Sequence, residues 1–295
     1  YTGADGFQTT HSVAERVAER VGVGAVDVVV CSTGLIGLAN SRDDLLAGVD
    51  AAHAALSDSG GDDAAHAIMT TDSVSKQAVV EGAGWRIGGM AKGAGMLAPA
   101  LATMLVVITT DAVVPAAELD GALRAATRVS FDRLDSDGCM STNDTVTVMA
   151  SGASGITPSL PDFTEALTQL CIDLAMQLLR DAEGADHEIA ITTVNAASED
   201  DAVEVGRSVA RSNLFKAAVF GKDPNWGRVL ASMGTTQAVF DPADLDVAMN
   251  GVWVCRQSTP AEDPTRVDLA PREVTVTIDL KAGTERATVW TNDLT

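Results

Sequence analysis

The sequence predicts a layered α/β protein, and three observations carry that prediction. Short apolar runs of strand length alternate with stretches whose apolar residues recur every three or four positions. No internal repeat or low-complexity linker interrupts the alternation. With 295 residues, 46% of them hydrophobic, the chain can bury one large core or two modest ones. Sheets covered by helices follow from that combination.

Taken in order, Val13, Val17 and Val21 recur at helical spacing, and Val28 to Val30 read as a buried strand that delivers Ser32-Thr33-Gly34 to its end. Ser41 to Asp44 form a capping box ahead of Leu45, Leu46, Val49 and Ala52, which predicts a second helix. Gly60 to Asp63 break the pattern, and Ala67 to Thr70 read as a short strand. Pro115 to Arg128 form a helix with an N-terminal proline and acidic first turns, and Asp132 to Asn143, dense in Asp, Ser and Gly, a loop. Val146 to Met149 return to strand, and Phe163, Leu167, Leu170, Leu174 and Leu178 trace one face of a long helix ending near Glu183-Gly184. Ile189 to Val194 and Phe215 to Phe220 read as strands around a helix over Ala202 to Arg211, and NWGRVL after Pro224 opens a further helix. Leu245 to Cys255, Val274 to Leu280 and Ala287 to Trp290 finish the chain as strands. The alternation of Val274, Val276, Ile278 and Leu280 with polar residues predicts a half-exposed antiparallel sheet, with a turn at Ala282-Gly283.

Charge and composition exclude several functions. A net charge of −21 and a pI near 4.3 repel phosphate backbones and anionic membranes, so neither nucleic acid nor membrane is an expected partner. No apolar run reaches the roughly 18 residues of a spanning helix and no signal-peptide pattern opens the chain, so the expected compartment is the cytoplasm. Cys31, Cys139, Cys171 and Cys255 lie far apart, and His11, His53, His66 and His187 lack metal-ligand spacing. No metal site or disulfide framework is therefore expected, and Cys171 reads as a buried thiol on a helix face.

The stretch WRIGGMAKGAGMLAPALATMLVVITTDA, from Trp85 to Ala112, organises the chain. Gly88, Gly89, Gly93 and Gly95 make its first part read as a flexible loop carrying Lys92, and Thr103 opens the strand-like run Met104 to Ile108. A threonine hydroxyl at such a junction becomes a nucleophile when a base adjoins it, and its own α-amine, freed by cleavage at Ala102-Thr103, is one such base. On pattern alone, the ordinary reading comes first: Gly88 to Gly95 as a plain loop and Thr103 as a β-branched strand residue. A phosphate cradle is disfavoured because the GK[ST] ending is missing.

GGMAKGAGMLAPALATML resembles the signature of the ornithine acetyltransferase family (glutamate N-acetyltransferase of arginine biosynthesis), in which the chain cuts itself before the threonine of ATML. CSTGLIG at Cys31 to Gly37, IMTTD at Ile68 to Asp72, FDRLDSDGCMSTNDT at Phe131 to Thr145, DAEGA at Asp181 to Ala185, DPNWGRV at Asp223 to Val229 and NGVWVC at Asn250 to Cys255 follow in family order. The resemblance implies a layered αβ sandwich of the self-cleaving, N-terminal-nucleophile-like ornithine acetyltransferase/aminopeptidase type. Its domain portions would be 1–130 and 131–295, its active site would lie between them, and cleavage would give chains 1–102 and 103–295. It also implies that Thr103 is the nucleophile, that Thr33 and Gly34 form an oxyanion hole, and that Thr70, Lys92, Thr103 and Glu183 bind substrate.

The implied reaction takes acetyl from N2-acetyl-L-ornithine and gives it to L-glutamate without metal or organic cofactor. Acetyl-CoA as a second donor, which would make the enzyme bifunctional, is left open. An α2β2 assembly of cleaved chains, or a larger one, goes with the family. Family members carry a long segment ahead of the part that begins YTGADGF, and a tail past Thr291 to Thr295 that supplies an Asn and a Ser or Thr to the substrate. Ala100 stands where Asn is frequent. Two rival functions remain at this level, an aminopeptidase or amidase on a related scaffold with the same nucleophile and an inactive binding paralogue.

Overall fold

A computed structural model, describing residues 2–98 and 104–295, has two mixed sheets, each with its own core. The first sheet orders β1 (Lys76–Glu81), β2 (Arg86–Lys92), β3 (Leu105–Thr110) and β4 (Thr145–Ala150) side by side. The first three run antiparallel, while β4 lies parallel to β3. A parallel pair needs a crossover, and α4 (Ala116–Arg128) lies within it. The helix predicted from the Phe163 to Leu178 stripe is α5 (Leu160–Arg180), capped by Ser159, whose hydroxyl accepts from the Asp162 N–H at 3.2 Å. It lies across β1 and β2 with that stripe fully buried, Cys171 included.

Gly88 and Gly89, expected in a loop, lie inside β2. The reason is packing. A Cβ on Gly89 would stand 3.0 Å from Leu170 Cδ2 and 3.1 Å from Leu174 Cδ1, so the bare backbone lets α5 close down on the strand.

The second sheet has the order β10-β5-β9-β6-β7-β8, from β5 (Glu188–Ala196), β6 (Asp246–Met249), β7 (Val252–Arg256), β8 (Thr259–Pro260), β9 (Glu273–Asp279) and β10 (Glu285–Asn292). The alternating strand β9 has one buried face, as expected, but it pairs parallel with β5 and antiparallel with β6. Leu245 to Cys255 is a hairpin, not one strand, because Asn250 and Gly251 both take positive φ, at 45° and 80°, and turn the chain. Helix α6 (Glu199–Ala210) covers β5 and β10.

Three further expectations fail locally. Phe215 to Phe220 lies in α7 (Asn213–Phe220): the Ser212 hydroxyl accepts from the Phe215 N–H at 3.3 Å, and Phe215, Ala218 and Val219 bury at helical spacing. Val28 to Val30 forms no strand. Val28 has extended dihedrals, but no described strand edge pairs with it, and Val29 is exposed. Ala67 to Thr70 is the end of α3 (Gly61–Ala67) and the turn after it; four apolar-leaning residues cannot distinguish strand from helix end.

The remaining helices match expectation: α1 (Gly3–Val21), α2 (Arg42–Ala54), whose Ser41 cap accepts from the Asp44 N–H at 3.3 Å, and α8 (Trp226–Met233). The expected 130/131 boundary falls between α4 and a short 3-10 turn at Phe131–Arg133, while the first sheet draws β4 and α5 from beyond it. The acidic loop after that turn is pinned between the sheets. The Asp135 N–H donates to the Trp290 carbonyl at 2.8 Å and the Ser136 N–H to the Leu97 carbonyl at 2.6 Å. The buried Lys216 ammonium donates to the carbonyls of Ser136, Asn292 and Asp293. Among the described residues no helix is long and apolar enough to cross a membrane.

Candidate active site

Strand β2 ends on Lys92, which is 1% exposed. Its Nζ donates to Thr33 Oγ1 at 3.4 Å, so two of the predicted residues meet although 59 positions separate them. Burial pushes the Lys92 ammonium below the usual lysine range. Asp72 and Asp144 pull it back up by charge, and Lys76 adds to the lowering. The Thr33 loop is held from behind by Asn40, whose Nδ2 donates to the Thr33 carbonyl at 3.2 Å. A Cβ on Gly34 would stand 3.0 Å from Asn40 Oδ1, so the missing side chain is what admits Asn40. Thr33 is half-buried and Gly34 exposed, and both border a cavity of about 180 Å³ that Cys31, Thr142 and Asn143 also line.

Thr70 and Glu183 are each linked by backbone hydrogen bonds to residues 93–94, just past Lys92, Thr70 by way of the Asp72 carboxylate. Asp72 Oδ1 accepts from the Gly93 N–H at 2.6 Å while its Oδ2 accepts from the Thr70 N–H at 3.1 Å. Gly93 has φ of 148°, a conformation that favours glycine. The Glu183 N–H donates to the Ala94 carbonyl at 2.7 Å, and a Cβ on Gly95 would lie 3.5 Å from Glu183 Oε2. Both Thr70 and Glu183 are exposed. Ala102 and Thr103, the predicted cleavage pair, lie outside the described residues. The next residue, Met104, donates its N–H to Asp144 Oδ1 at 2.9 Å. Burial pushes the Asp144 carboxyl up to about 6, against the lowering pull of the Met104 N–H, Lys92 and the Ser141 N–H. Among the described residues its buried Oδ2 has no hydrogen-bond partner.

Sequence reasoning missed the charges beneath these residues. Lys76 Nζ sits 2.7 Å from Asp72 Oδ1 and 2.6 Å from Asp181 Oδ2, all three side chains being buried. Asp72 and Asp181 close the quoted IMTTD block and open the DAEGA block, but nothing in either block marks the residue as buried. Asn40 carries no signal at all. Among the described residues no group of three His, Cys, Asp or Glu side chains is arranged to hold a metal ion.

The meeting of the buried Lys92 with Thr33 in an α/β protein of two mixed sheets brings together two residues that the sequence resemblance assigns to one site, that of the ornithine acetyltransferase class. Comparison with known proteins narrows the class. The ArgJ family profile matches residues 1–295. The arginine biosynthesis bifunctional protein ArgJ of Streptomyces coelicolor is 60% identical over 294 residues, covering 100% of this chain and 77% of that protein. The protein of the same name from Thermobifida fusca is likewise 60% identical with the same coverage, and that from Mycobacterium leprae is 52% identical over 99% of this chain and 74% of its own length. A crystal structure of arginine biosynthesis bifunctional protein ArgJ from Bacillus halodurans superposes with a TM-score of 0.60 at 33% identity, covering 63% of this chain and 92% of that one. The chain belongs to the ArgJ family.

Proposed function

We propose that the protein moves the acetyl group of N2-acetyl-L-ornithine to L-glutamate through a threonyl ester at Thr103, after the Ala102-Thr103 bond has been cut. The observation that carries this reading is the contact of the buried Lys92 ammonium with Thr33 Oγ1. It joins the expected carboxylate-binding cation to the expected oxyanion hole.

In the first half-reaction the Thr103 hydroxyl attacks the acetyl carbonyl carbon and passes its proton to its own α-amine. The Thr33 hydroxyl and the Gly34 N–H stabilise the negative charge on the acyl oxygen, a role in which one donor is worth about 2.7 to 4 kcal/mol of barrier. The C–N bond then breaks, and the departing ornithine nitrogen takes the proton back. In the second, the neutral amine of glutamate attacks the ester carbonyl, one of its protons passes by way of the Thr103 α-amine to the Thr103 oxygen as the C–O bond breaks, and N-acetylglutamate leaves with the Thr103 hydroxyl restored. Lys92 suits an α-carboxylate, Glu183 an ammonium, and Thr70 completes the pocket. No step calls for a metal or an organic cofactor, and acetyl-CoA is a candidate second donor. The cleaved chains would assemble as α2β2 or larger, in the cytoplasm.

Intact-mass measurement on the purified full-length protein, followed by an acetyl-donor panel, tests the reading. Two fragments meeting at Ala102/Thr103, ping-pong kinetics and ornithine release matched by N-acetylglutamate are the expected results. An uncleaved chain that is nevertheless active, or intersecting double-reciprocal plots, would overturn it. Acetate released without glutamate would mark a hydrolase instead.

A further inference from the structure

Thr70, Lys92 and Glu183 come from three separate stretches, and some structure must set the gap between them. Lys76 opens β1 fully buried, bonded to Asp72 on one side and to Asp181 on the other. Each carboxylate also grips backbone. Asp72 accepts the N–H groups of Thr70 and of Gly93, the residue that follows Lys92. Asp181 accepts the N–H of Ser73 at 2.9 Å and its hydroxyl as well. It sits two residues ahead of Glu183, whose own N–H is fixed to Ala94. Burial pushes both carboxyls up, but the Gly93 N–H and Lys76 at Asp72, and Lys76 and Ser73 at Asp181, outweigh it and hold them below the ordinary range. A buried ion cluster of this kind seldom stabilises a fold more than apolar residues of equal volume would, and in some proteins such groups serve conformational specificity instead.

We infer that Asp72, Lys76 and Asp181 form a tie that sets the distance between the cationic end of the substrate pocket, at Lys92 and Thr70, and its anionic end, at Glu183. The inference rests on the reading of those three residues as substrate-binding. The tie touches no substrate, so its members are positioning residues. Their effect is selection by length: a donor with a carboxylate at one end and an ammonium at the other fits when its chain spans the gap.

The test compares kcat/KM for N2-acetylornithine with that for N2-acetyllysine, one methylene longer, in the full-length enzyme. A fall in the folded fraction cancels in this ratio, so a merely structural role leaves it unmoved. Removing one partner of a buried pair invites unfolding, so the first variant is the near-isosteric Asp181→Asn. The second, Asp181→Glu, keeps the charge and lengthens the tie by one methylene. The wild-type preference for the shorter donor should fall by about tenfold, the low end of what one methylene discriminates, in Asp181→Asn. In Asp181→Glu it should move toward the longer donor, and Lys76→Arg should retain more of it than Asp181→Asn. Unchanged ratios in both Asp181 variants would overturn the inference. A parallel Lys92→Met variant separates the two levels. If it raises KM for N2-acetylornithine while the Asp181 ratios stay fixed, only the tie is wrong; if it leaves KM unchanged, the substrate-site reading falls and the tie falls with it.

Discussion

Two adjacent glycines in β2 should respond to the same substitution with opposite sign. In Gly88→Ala the new methyl would meet only Val79 Cγ2 at 3.9 Å, an ordinary contact. Gly89→Ala places it 3.0 Å from Leu170 Cδ2, 3.1 Å from Leu174 Cδ1 and 3.3 Å from Ile108 Cγ1. Those three side chains are fully buried and have little room to yield. Both substitutions gain the same backbone contribution, roughly 0.5–1 kcal/mol from restricting the unfolded chain. It cancels in the difference between the variants, leaving the overpacking of the α5 interface, about 1–3 kcal/mol.

Gly88→Ala should therefore be neutral to stabilising and Gly89→Ala destabilising. Scanning calorimetry on the pair should show the two midpoints separated by roughly 2–4 °C for each kcal/mol. Since β2 ends on Lys92, pushing the strand off α5 should also weaken N2-acetylornithine binding in Gly89→Ala. Equal midpoints, or a higher midpoint for Gly89→Ala, would refute the claim that α5 rests on bare backbone there.

Two other outcomes follow from the same coordinates. Asp144 has a folded-state pKa raised to about 6. The folded protein thus keeps this proton longer than the unfolded chain, whose carboxyl titrates near about 3.9, and stability drains away as pH rises between those values. Relative to wild type, Asp144→Asn should accordingly gain stability between about pH 4 and pH 6 and hold that gain above; urea midpoints at pH 5 and pH 8 check the direction, and a gap that does not move with pH would contradict it. Ser212→Ala removes the cap of α7 and should cost about 0.5–2 kcal/mol by urea denaturation without altering affinity for N2-acetylornithine, because α7 packs into the core of the second sheet.

How far the fold was legible depended on whether the signal was local. The α5 stripe was readable because one buried face over 21 residues imposes its period on the sequence. Helix α7 was not, since six apolar-leaning residues between turns satisfy strand and helix alike, and the deciding feature was a single serine cap. The hairpin at Asn250-Gly251 carried a usable signal, an Asn-Gly pair between apolar runs, that the long apolar stretch obscured. Strand β2 was hidden for a different reason. Glycine reads as loop unless one knows that a helix some 80 positions later needs the space, and that knowledge is tertiary. The same limit governs the site. Thr33, Lys92 and Glu183 stood out through ordered blocks of family resemblance, not through anything their own neighbours required. Lys76 and Asp181, 105 positions apart, are joined only by the fold.

The two buried lysines of the first sheet illustrate what burial can be used for. Lys76 has two carboxylates within hydrogen-bonding distance, and its charge is absorbed in holding backbone. Lys92 donates to a neutral hydroxyl and feels Asp72 and Asp144 through space, while burial works against its charge. Lys92 on its strand end, in contact with Thr33 and followed by Gly93 tied to Asp72, holds that strand end and the Thr33 loop in one frame. On the proposed reading, a substrate carboxylate held at Lys92 would lie beside the loop where acyl charge would develop.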